Sequence, residues 1–283
     1  MALILQGAPV AGAMTETLRP RILALKERGV CPALAVVRVG EKPEQLSYER
    51  AAARRCAALG VAFRSFALAE DCGQAALLAA IEEINRDGEI HGCMLLRPLT
   101  PGLDEYAACQ ALRPEKDVDG MTAASLGAVF TGRGRGYPPC TAQACMEVLD
   151  YYQIPLPGAR AAVIGRSLVV GRPLAMLLQA RNATVTLCHS RSVNLPALCR
   201  EQEILIAAAG SAGMVDESYV NQNQVILDVG VNADGEGHLC GDVCFARVEP
   251  LVRALSPVPG GVGAVTTTVI IKHVIQAAEA ARQ

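Results

Sequence analysis

The sequence predicts an α/β protein with two doubly wound units, because short apolar strands alternate with helical segments in two successive series. Two further observations support this fold class. A chain of 283 residues is long enough for about two domains. The segment 154–160, IPLPGAR, interrupts the alternation with prolines and a glycine, and it marks a boundary between the two units.

The first series runs from Pro9 to Gly92, after a short N-terminal strand. Its predicted helices end near residue 28 and span 43–59 and 73–86, and its predicted strands are 33–39, 61–68 and 92–96. A loop-rich stretch follows, containing RPEKDVDGMT and TGRGRGYPPC. Thr141 is then expected to cap a helix that runs to about Tyr152.

The second series has predicted strands at 160–165, 183–188, 203–210 and 225–230, with helices starting at Gly171 and near residue 195. A Gly/Pro loop and a closing helix of about 18 residues complete the chain. Because this helix is too long to be only a tail, we expect it to return to the first unit. The predicted domains are therefore 1–140 plus 264–283, and 141–263.

The composition excludes several classes of protein. With 51% apolar and 19% charged residues the chain is globular rather than disordered. The 26 basic and 28 acidic side chains provide no broad basic field, and aromatic residues are only 4% of the chain, so we expect no nucleic-acid partner. No apolar run approaches the ~18 residues that span a bilayer, so we expect no membrane partner.

The cysteines and histidines do not indicate a metal site. The eleven cysteines are odd in number and never spaced C-x-x-C, and the four histidines lie far apart in the sequence. We interpret the cysteines as small core residues in a reducing compartment and expect a cytoplasmic enzyme without a metal.

The segment 161–178, AAVIGRSLVVGRPLAMLL, has the pattern of a buried strand, a glycine turn and a helix. This geometry directs backbone N–H groups and a helix N-terminus at a phosphate, and it predicts that the second unit is a Rossmann-type dinucleotide-binding domain. The spacing is G-x-S-x-x-x-G rather than G-x-G-x-x-G, so a simple tight turn is the alternative.

The next strand, 183–188, favours NADP over NAD as the cofactor. It ends in His189-Ser190-Arg191-Ser192, where an NAD-binding domain places an acid for the ribose 2′-hydroxyl. Arg191, together with Arg166 in the glycine turn, suits a 2′-phosphate instead. Under the alternative interpretation both arginines are ordinary surface cations.

Five motifs then point to one family: GRSLVVGRP, DVGVN, GDV, PVPGGVG and KDVDG. The chain resembles the bifunctional 5,10-methylenetetrahydrofolate dehydrogenase/cyclohydrolase family over nearly its whole length. The resemblance implies NADP-dependent oxidation of 5,10-methylenetetrahydrofolate to 5,10-methenyltetrahydrofolate in one-carbon metabolism. It also implies folate chemistry in the first domain and the returning helix, NADP in the second domain, and a homodimer.

The resemblance also implies the site residues. The cofactor is expected to contact Gly165, Arg166, Ser167, Ser190 and Val231, besides Arg191. The folate is expected to contact Tyr48, Asp119, Pro259, Gly260 and Gly261. A carboxylate such as Asp119 can accept two parallel N–H bonds from the pterin edge. The alternatives are that Asp119 forms a turn before Gly120, and that the Tyr48 hydroxyl lies in water on an amphipathic helix.

The chain departs from the family at three polar positions of the folate site. The family's Ser, Lys and Gln correspond to Gln45, Ala52 and Leu96 here. Arg55 and Arg97 are nearby cations, but we expect both to be solvated or paired surface charges. Adjacent strand residues face opposite sides, which argues against Arg97 as a site residue. Neither guanidinium can exchange protons as a lysine with a lowered pKa does.

These departures affect the two family reactions differently. Dehydrogenation depends mainly on aligning two bound molecules, whereas hydrolysis of the methenyl product needs general acid/base groups. We therefore expect a dehydrogenase with weak or lost cyclohydrolase activity and assign no certain catalytic residue. Two alternatives stay open: a catalytically silent NADP- and folate-binding homologue, and a dehydrogenase with a changed substrate. Ala264 and Val265, where the family usually has Pro-Met, favour the silent homologue.

Overall fold

The computed structural model describes residues 1–281, which form two compact units. The three-stranded unit contains Ala13–Cys140 and the described residues from Thr267 onward, and the six-stranded unit contains Met1–Gly12 and Thr141–Thr266. In chain order the elements are β1 (Leu3–Ile4), α1 (Gly7–Glu27), β2 (Ala33–Val39), α2 (Pro43–Leu59), β3 (Ala62–Leu68), α3 (Gly73–Arg86), β4 (Gly92–Leu95), α4 (Glu105–Ala111), α5 (Ala123–Thr131), α6 (Cys140–Tyr151), β5 (Arg160–Ile164), α7 (Gly171–Ala180), β6 (Thr184–Cys188), α8 (Leu195–Arg200), β7 (Ile204–Ala207), β8 (Val225–Asp228), β9 (Asn232–Ala233), β10 (Leu239–Cys240), α9 (Phe245–Val248), β11 (Ala254–Leu255) and α10 (Thr266–Ala280). The predicted α/β architecture is confirmed.

The three-stranded unit has a parallel sheet in the order β3-β2-β4. Its central strand β2 is buried along its whole length, as expected for a parallel strand covered on both faces. Alternate residues of β2 pack with the apolar side of α3. The core residues of this contact are Ala35, Val37, Val39, Leu77, Ile81 and Ile84.

A segment from Pro114 to Asp119 runs alongside β4 in the same direction. Its middle residue Asp117 forms a parallel bridge with Cys93 of β4. A Cβ atom added to Gly92 would overlap the side chains of Val118 and Val274, so the first residue of β4 must be a glycine. The segment and α10 therefore pack directly on β4.

The six-stranded unit has a parallel sheet in the order β1-β11-β8-β7-β5-β6. The chain leaves β5 for β6 on one side and then returns to β7 on the other side of β5. The carboxyl ends of β5 and β7 therefore flank a topological switch point, which is where open α/β sheets bind ligands.

The division of the chain differs from the predicted domain boundaries of 1–140 plus 264–283 and 141–263. The first twelve residues belong to the six-stranded unit, because Leu3 pairs with Ala254 in a parallel ladder. The Gly7 N–H also donates to the Gly260 carbonyl at 2.8 Å. From Thr267 the closing helix lies in the same unit as residues 13–140, and its Glu279 accepts a 2.6 Å bond from Arg21.

The loop-rich stretch contains two helices that the sequence analysis did not identify. Asp104 caps α4 through the Ala107 N–H, and Thr122 caps α5 through the Ser125 N–H. Helix α6 begins at Cys140, so the expected cap Thr141 lies inside it. Within residues 1–281, no helix has the length and apolar character to cross a membrane, and no group of three His, Cys, Asp or Glu side chains is arranged to hold a metal ion.

Candidate functional sites

The glycine turn after β5 is fixed by the backbone around it. Gly165 has φ +117°, and a Cβ atom there would overlap the carbonyl oxygen of Ala208 after β7. A Cβ atom on Gly171, the first residue of α7, would overlap the carbonyl oxygen of Gly165. Only glycine fits at both positions, so the turn brings the N-terminus of α7 close to the switch point.

The polar side chains of this turn face solvent at the end where the helix dipole is positive. Arg166 and Ser167 are both exposed. The Ser167 hydroxyl accepts a 3.1 Å bond from the Val170 N–H, and the Ser167 carbonyl accepts one from the Arg172 N–H. The hydroxyl proton of Ser167 stays available to a ligand, and the helix N-terminus favours an anion.

The turn after β6 presents a cation and a hydroxyl at the same edge of the sheet. Within it the Arg191 N–H donates to His189 Nδ1 at 3.1 Å, and the His189 N–H donates to the Ser192 hydroxyl at 3.0 Å. These bonds leave the side chains of Ser190 and Arg191 exposed. The turn 189–192 contains no carboxylate, which agrees with a site for a 2′-phosphate.

Two buried aspartates, not singled out by the sequence analysis, order the loops after β7 and β8. Asp242 accepts bonds of 2.6–3.0 Å from the consecutive N–H groups of residues 209–211. Asp228 accepts from the N–H groups of Gly230, Asp242 and Val243. Burial raises the pKa of Asp228 to about 6, and these three bonds partly oppose the rise. The motifs DVGVN and GDV were the available signal, since each contains one of the two aspartates.

The loop after β8 and the PVPGGVG loop complete the candidate residues of the six-stranded unit. Val231 is exposed next to Asn232, whose amide donates to Asp242 at 2.9 Å. Pro259 and Gly260 are exposed, whereas Gly261 is buried. A Cβ atom on Gly261 would overlap the Pro257 carbonyl.

Asp119 and Arg97 meet in the three-stranded unit. An Arg97 nitrogen lies 4.0 Å from the Asp119 carboxylate and another lies 3.7 Å from Glu105. Burial raises the pKa of Asp119 to about 6, while Arg97 opposes this rise. Arg97 is therefore a paired cation, as the sequence analysis expected, and it lies beyond the end of β4 at Leu95, where strand alternation no longer determines which side it faces.

Asp117, not Asp119, forms the turn around Gly120. Its carboxylate accepts bonds from the N–H groups of Met121 and Thr122 at 2.9 and 2.7 Å, and from the Ser125 hydroxyl at 2.6 Å. Asp119 lies within this turn, which the bond from the Gly120 N–H to the Asp117 carbonyl closes, but its carboxylate is not the one that accepts the N–H bonds of Met121 and Thr122. Two groups of the chain itself lie at the Asp119 carboxylate: the Arg97 guanidinium, and the Cys140 thiol, which donates a hydrogen bond to it.

The positions where the family carries Lys and Gln are apolar and closed. Ala52 is 2% exposed on α2, and Leu96 is 6% exposed directly after β4. Tyr48, one helical turn before Ala52, is 36% exposed. The structure therefore places an exposed tyrosine beside a position that has neither an amine nor an amide.

Gln45 joins α2 to the loop after β4. Its Nε2 donates to the Pro98 carbonyl at 3.0 Å, and its Oε1 is buried without a hydrogen-bond partner among the described residues. Arg55 donates instead to the buried Thr268 hydroxyl at 2.6 Å. The partner that the structure describes for Arg55 is thus a neutral hydroxyl.

A buried cluster around the carbonyl of Val118, the residue before Asp119, was also missed by the sequence analysis. His273 Nδ1–H donates to the Val118 carbonyl at 2.8 Å, and Cys140 Sγ lies 3.1 Å from the same carbonyl. The Tyr137 ring stacks on His273 with centroids 5.0 Å apart. Burial lowers the pKa of His273 to about 4, so the imidazole is neutral at pH 7.

Comparisons with known proteins agree with this geometry. Residues 5–119 match the catalytic-domain model of tetrahydrofolate dehydrogenase/cyclohydrolase, and residues 139–282 match its NAD(P)-binding-domain model. The bifunctional protein FolD of Carboxydothermus hydrogenoformans is 49% identical over 281 residues, which cover 99% of this chain and 98% of that protein.

Two solved structures extend the comparison. The FolD methylenetetrahydrofolate dehydrogenase/cyclohydrolase of Campylobacter jejuni has a TM-score of 0.95 at 32% identity and covers 99% of both chains. The Trypanosoma brucei enzyme, solved with NADP and an inhibitor, has a TM-score of 0.92 at 31% identity, covering 98% of this chain and 97% of that one. The chain belongs to the tetrahydrofolate dehydrogenase/cyclohydrolase family.

Proposed function

We propose that this protein oxidises 5,10-methylenetetrahydrofolate to 5,10-methenyltetrahydrofolate with NADP as the hydride acceptor, and that its cyclohydrolase activity is weak or absent. One contrast between two sites carries the proposal. The glycine turn at Gly165 and Gly171 brings a helix N-terminus to the switch point, where open α/β sheets bind dinucleotides, whereas Ala52 and Leu96 provide no proton-transfer group at the folate site.

The dehydrogenase step mainly requires that the two ligands be aligned. Bound NADP would accept the hydride from the methylene bridge, and the folate's own nitrogen would supply the electron pair that forms the methenyl cation. No protein group gains or loses a proton in this step. Asp119 is proposed to hold the pterin edge, and the family resemblance also assigns folate contacts to Pro259, Gly260 and Gly261.

The hydrolytic step requires proton transfer as well as alignment. Water must add to the methenyl carbon and lose a proton. The ring nitrogen must gain a proton as the ring opens. Ala52 and Leu96 have no group that can do this. Gln45 presents a neutral amide, and a guanidinium group does not exchange protons as a lysine with a lowered pKa does, so neither Gln45 nor Arg97 substitutes for a lysine.

The cofactor is proposed to be NADP rather than NAD. Gly165, Ser167 and Val231 position the dinucleotide, and Arg166, Ser190 and Arg191 bind the 2′-phosphate. The support is the pair of exposed arginines beside β5 and β6 with no carboxylate in the turn 189–192. The family model that matches residues 139–282 is also an NAD(P)-binding domain.

The family likeness further suggests a cytoplasmic homodimer that binds a tetrahydrofolate derivative and no nucleic acid. Sedimentation velocity of the purified protein tests the dimer: a species of twice the chain mass is expected, and a monomer at micromolar concentration contradicts it.

A titration followed by an assay separates the three candidate functions. Tetrahydrofolate binding is measured first, and NADPH formation from methylenetetrahydrofolate second. Binding with turnover supports the proposal. Binding without turnover supports a silent homologue, which the three changed positions favour, and no folate binding supports a dehydrogenase with another substrate.

A further inference from the structure

A cavity separate from the proposed folate site lies at the amino-terminal edge of the three-stranded sheet. Leu96, Arg97 and Asp119 lie at the opposite, carboxyl edge of that sheet. The volume of the cavity is about 590 Å³, and its wall includes Ile90 and His91, the two residues before β4. Ala277 near the end of α10 forms another part of the wall. A cavity of this size is within the range that holds a small molecule.

The cavity wall carries an excess of positive charge. Arg113, Lys116 and Arg135 line it, and Glu115 is the carboxylate among them. Glu115 is 2.6 Å from Arg135 and 3.8 Å from Arg113, so one carboxylate serves two guanidinium groups. Arg86 also lines the wall, but it is paired with Glu82.

Lys116 adds a charge whose hydrogen-bond partners are neutral. Its ammonium donates to the carbonyls of Ile84 and Asp87, each at 2.6 Å. The Asp87 carboxylate is itself paired with Arg64. The wall around Arg113, Lys116 and Arg135 therefore has an excess of two positive charges, in a chain whose net charge is −2.

This arrangement matches a phosphate dianion. Two guanidinium groups offer forked donors to phosphate oxygens, and a lysine acts as a point charge beside them. The remaining volume, next to the ring of Tyr137, accommodates an organic group. We propose that this cavity binds a phosphate-bearing small molecule of nucleotide size, and that its occupancy changes the affinity of the folate site.

The link to the folate site follows from the segment that both share. Glu115 and Lys116 lie at one end of the segment 114–119, and Asp119 lies at the other. Tyr137 of the cavity wall stacks on His273, which donates to the Val118 carbonyl. This second part rests on the proposed role of Asp119 in folate binding, whereas the binding of phosphate does not.

Calorimetric titration of the full chain with AMP and with pyrophosphate tests the site, with saturating NADP present to occupy the dinucleotide site. Wild-type protein should bind one AMP per chain. Arg113→Ala and Arg135→Ala should each weaken binding about tenfold. Arg133→Ala, two residues from Arg135 and outside the cavity wall, is the matched control and should bind as wild type.

Failure of the wild type to bind either probe overturns the site, as does unchanged binding in both cavity variants. The link is tested by measuring the tetrahydrofolate Kd with and without AMP. A several-fold change is expected, and folate must change the AMP Kd by the same factor. Binding of AMP with no change in folate affinity overturns the link, whereas failure of folate to bind at all contradicts the proposed function instead.

Discussion

The glycine turn of the six-stranded unit and the folate site of the three-stranded unit differ in what they need from the chain. At the turn, Gly165 and Gly171 leave room for neighbouring carbonyl groups, so the function depends on the absence of a side chain. At the proposed folate site, Ala52 lies where the family resemblance implies a lysine amine for proton transfer. Under the proposed function, the geometry for binding is kept and the proton-transfer chemistry of the hydrolytic step is reduced or lost.

This difference shows why two activities on one scaffold are separable. Hydride transfer depends on the relative position of the two ligands, which many backbone contacts maintain together. Proton transfer draws on one or two side chains, and a single substitution removes it. Each prediction below changes one side of this comparison.

The largest effect is expected at the glycine turn. Gly165→Ala forces a Cβ atom against the Ala208 carbonyl at a positive φ, so NADP affinity should fall about 100-fold, or about 3 kcal/mol. Fluorescence titration of NADPH measures the change, and circular dichroism verifies the fold. Gly235→Ala, in open space with no positive φ, is the control. Unchanged affinity in Gly165→Ala would contradict the steric argument.

Asp119→Asn should have the next largest effect, on the folate side. The loss of a charged acceptor should raise the KM for methylenetetrahydrofolate about 10- to 100-fold and leave the KM for NADP unchanged. Glu105→Gln, which changes the other carboxylate beside Arg97, serves as the control. Equal KM values in the two variants would remove Asp119 from the site.

The same carboxylate predicts a pH dependence. Because the pKa of Asp119 is raised to about 6, the carboxyl becomes neutral as pH falls through that value and accepts N–H bonds less well. The kcat/KM for the folate should therefore fall below pH 6. In Asp119→Asn the profile should be flat over that range, and a persistent step would assign it to another group.

Arg191→Ala should change cofactor preference. It removes a cation proposed to contact the 2′-phosphate, so kcat/KM with NADP should fall about tenfold while the value with NAD stays constant. Arg200→Ala, an exposed cation at the end of α8, should change neither value. An equal decrease with both cofactors would indicate a structural role instead.

The smallest effect is expected at Arg55. Thr268→Val removes the hydroxyl that accepts from Arg55, and the free energy of unfolding should fall by about 1 kcal/mol. Thr267→Val is the neighbouring control. Dehydrogenase kinetics should be unchanged, because Arg55 has a structural bond and does not replace the missing amine. A large decrease in kcat would give Arg55 a role in the reaction.

The elements with strong periodicity could be predicted from the sequence, whereas those held by distant partners could not. Helices α2 and α3 and strand β2 have the predicted bounds, since their apolar spacing is local information. Strand β1 has two residues, and its place depends on a partner some 250 residues away at Ala254. No local pattern identifies that pairing.

The residues of the candidate site likewise divide into those that local sequence predicts and those that only the fold brings together. The glycine turn was predictable because a strand, a turn and a helix follow one another in the chain. Asp242 and His273 were not, since their roles come from N–H and carbonyl groups that only the fold brings to them. The approach of Arg97 to Asp119 was not predictable either, because it depends on where β4 ends, and strand ends are poorly marked in sequence.

The most direct test of the central claim is the rate at which the wild-type protein hydrolyses methenyltetrahydrofolate, compared with the buffer rate and with an Ala52→Lys, Leu96→Gln double variant. NADPH and the methenyl product are followed separately from methylenetetrahydrofolate and NADP. We predict that the wild type forms NADPH while the methenyl product accumulates, and that the double variant gains hydrolysis. Rapid enzyme-dependent hydrolysis by the wild type would contradict the account.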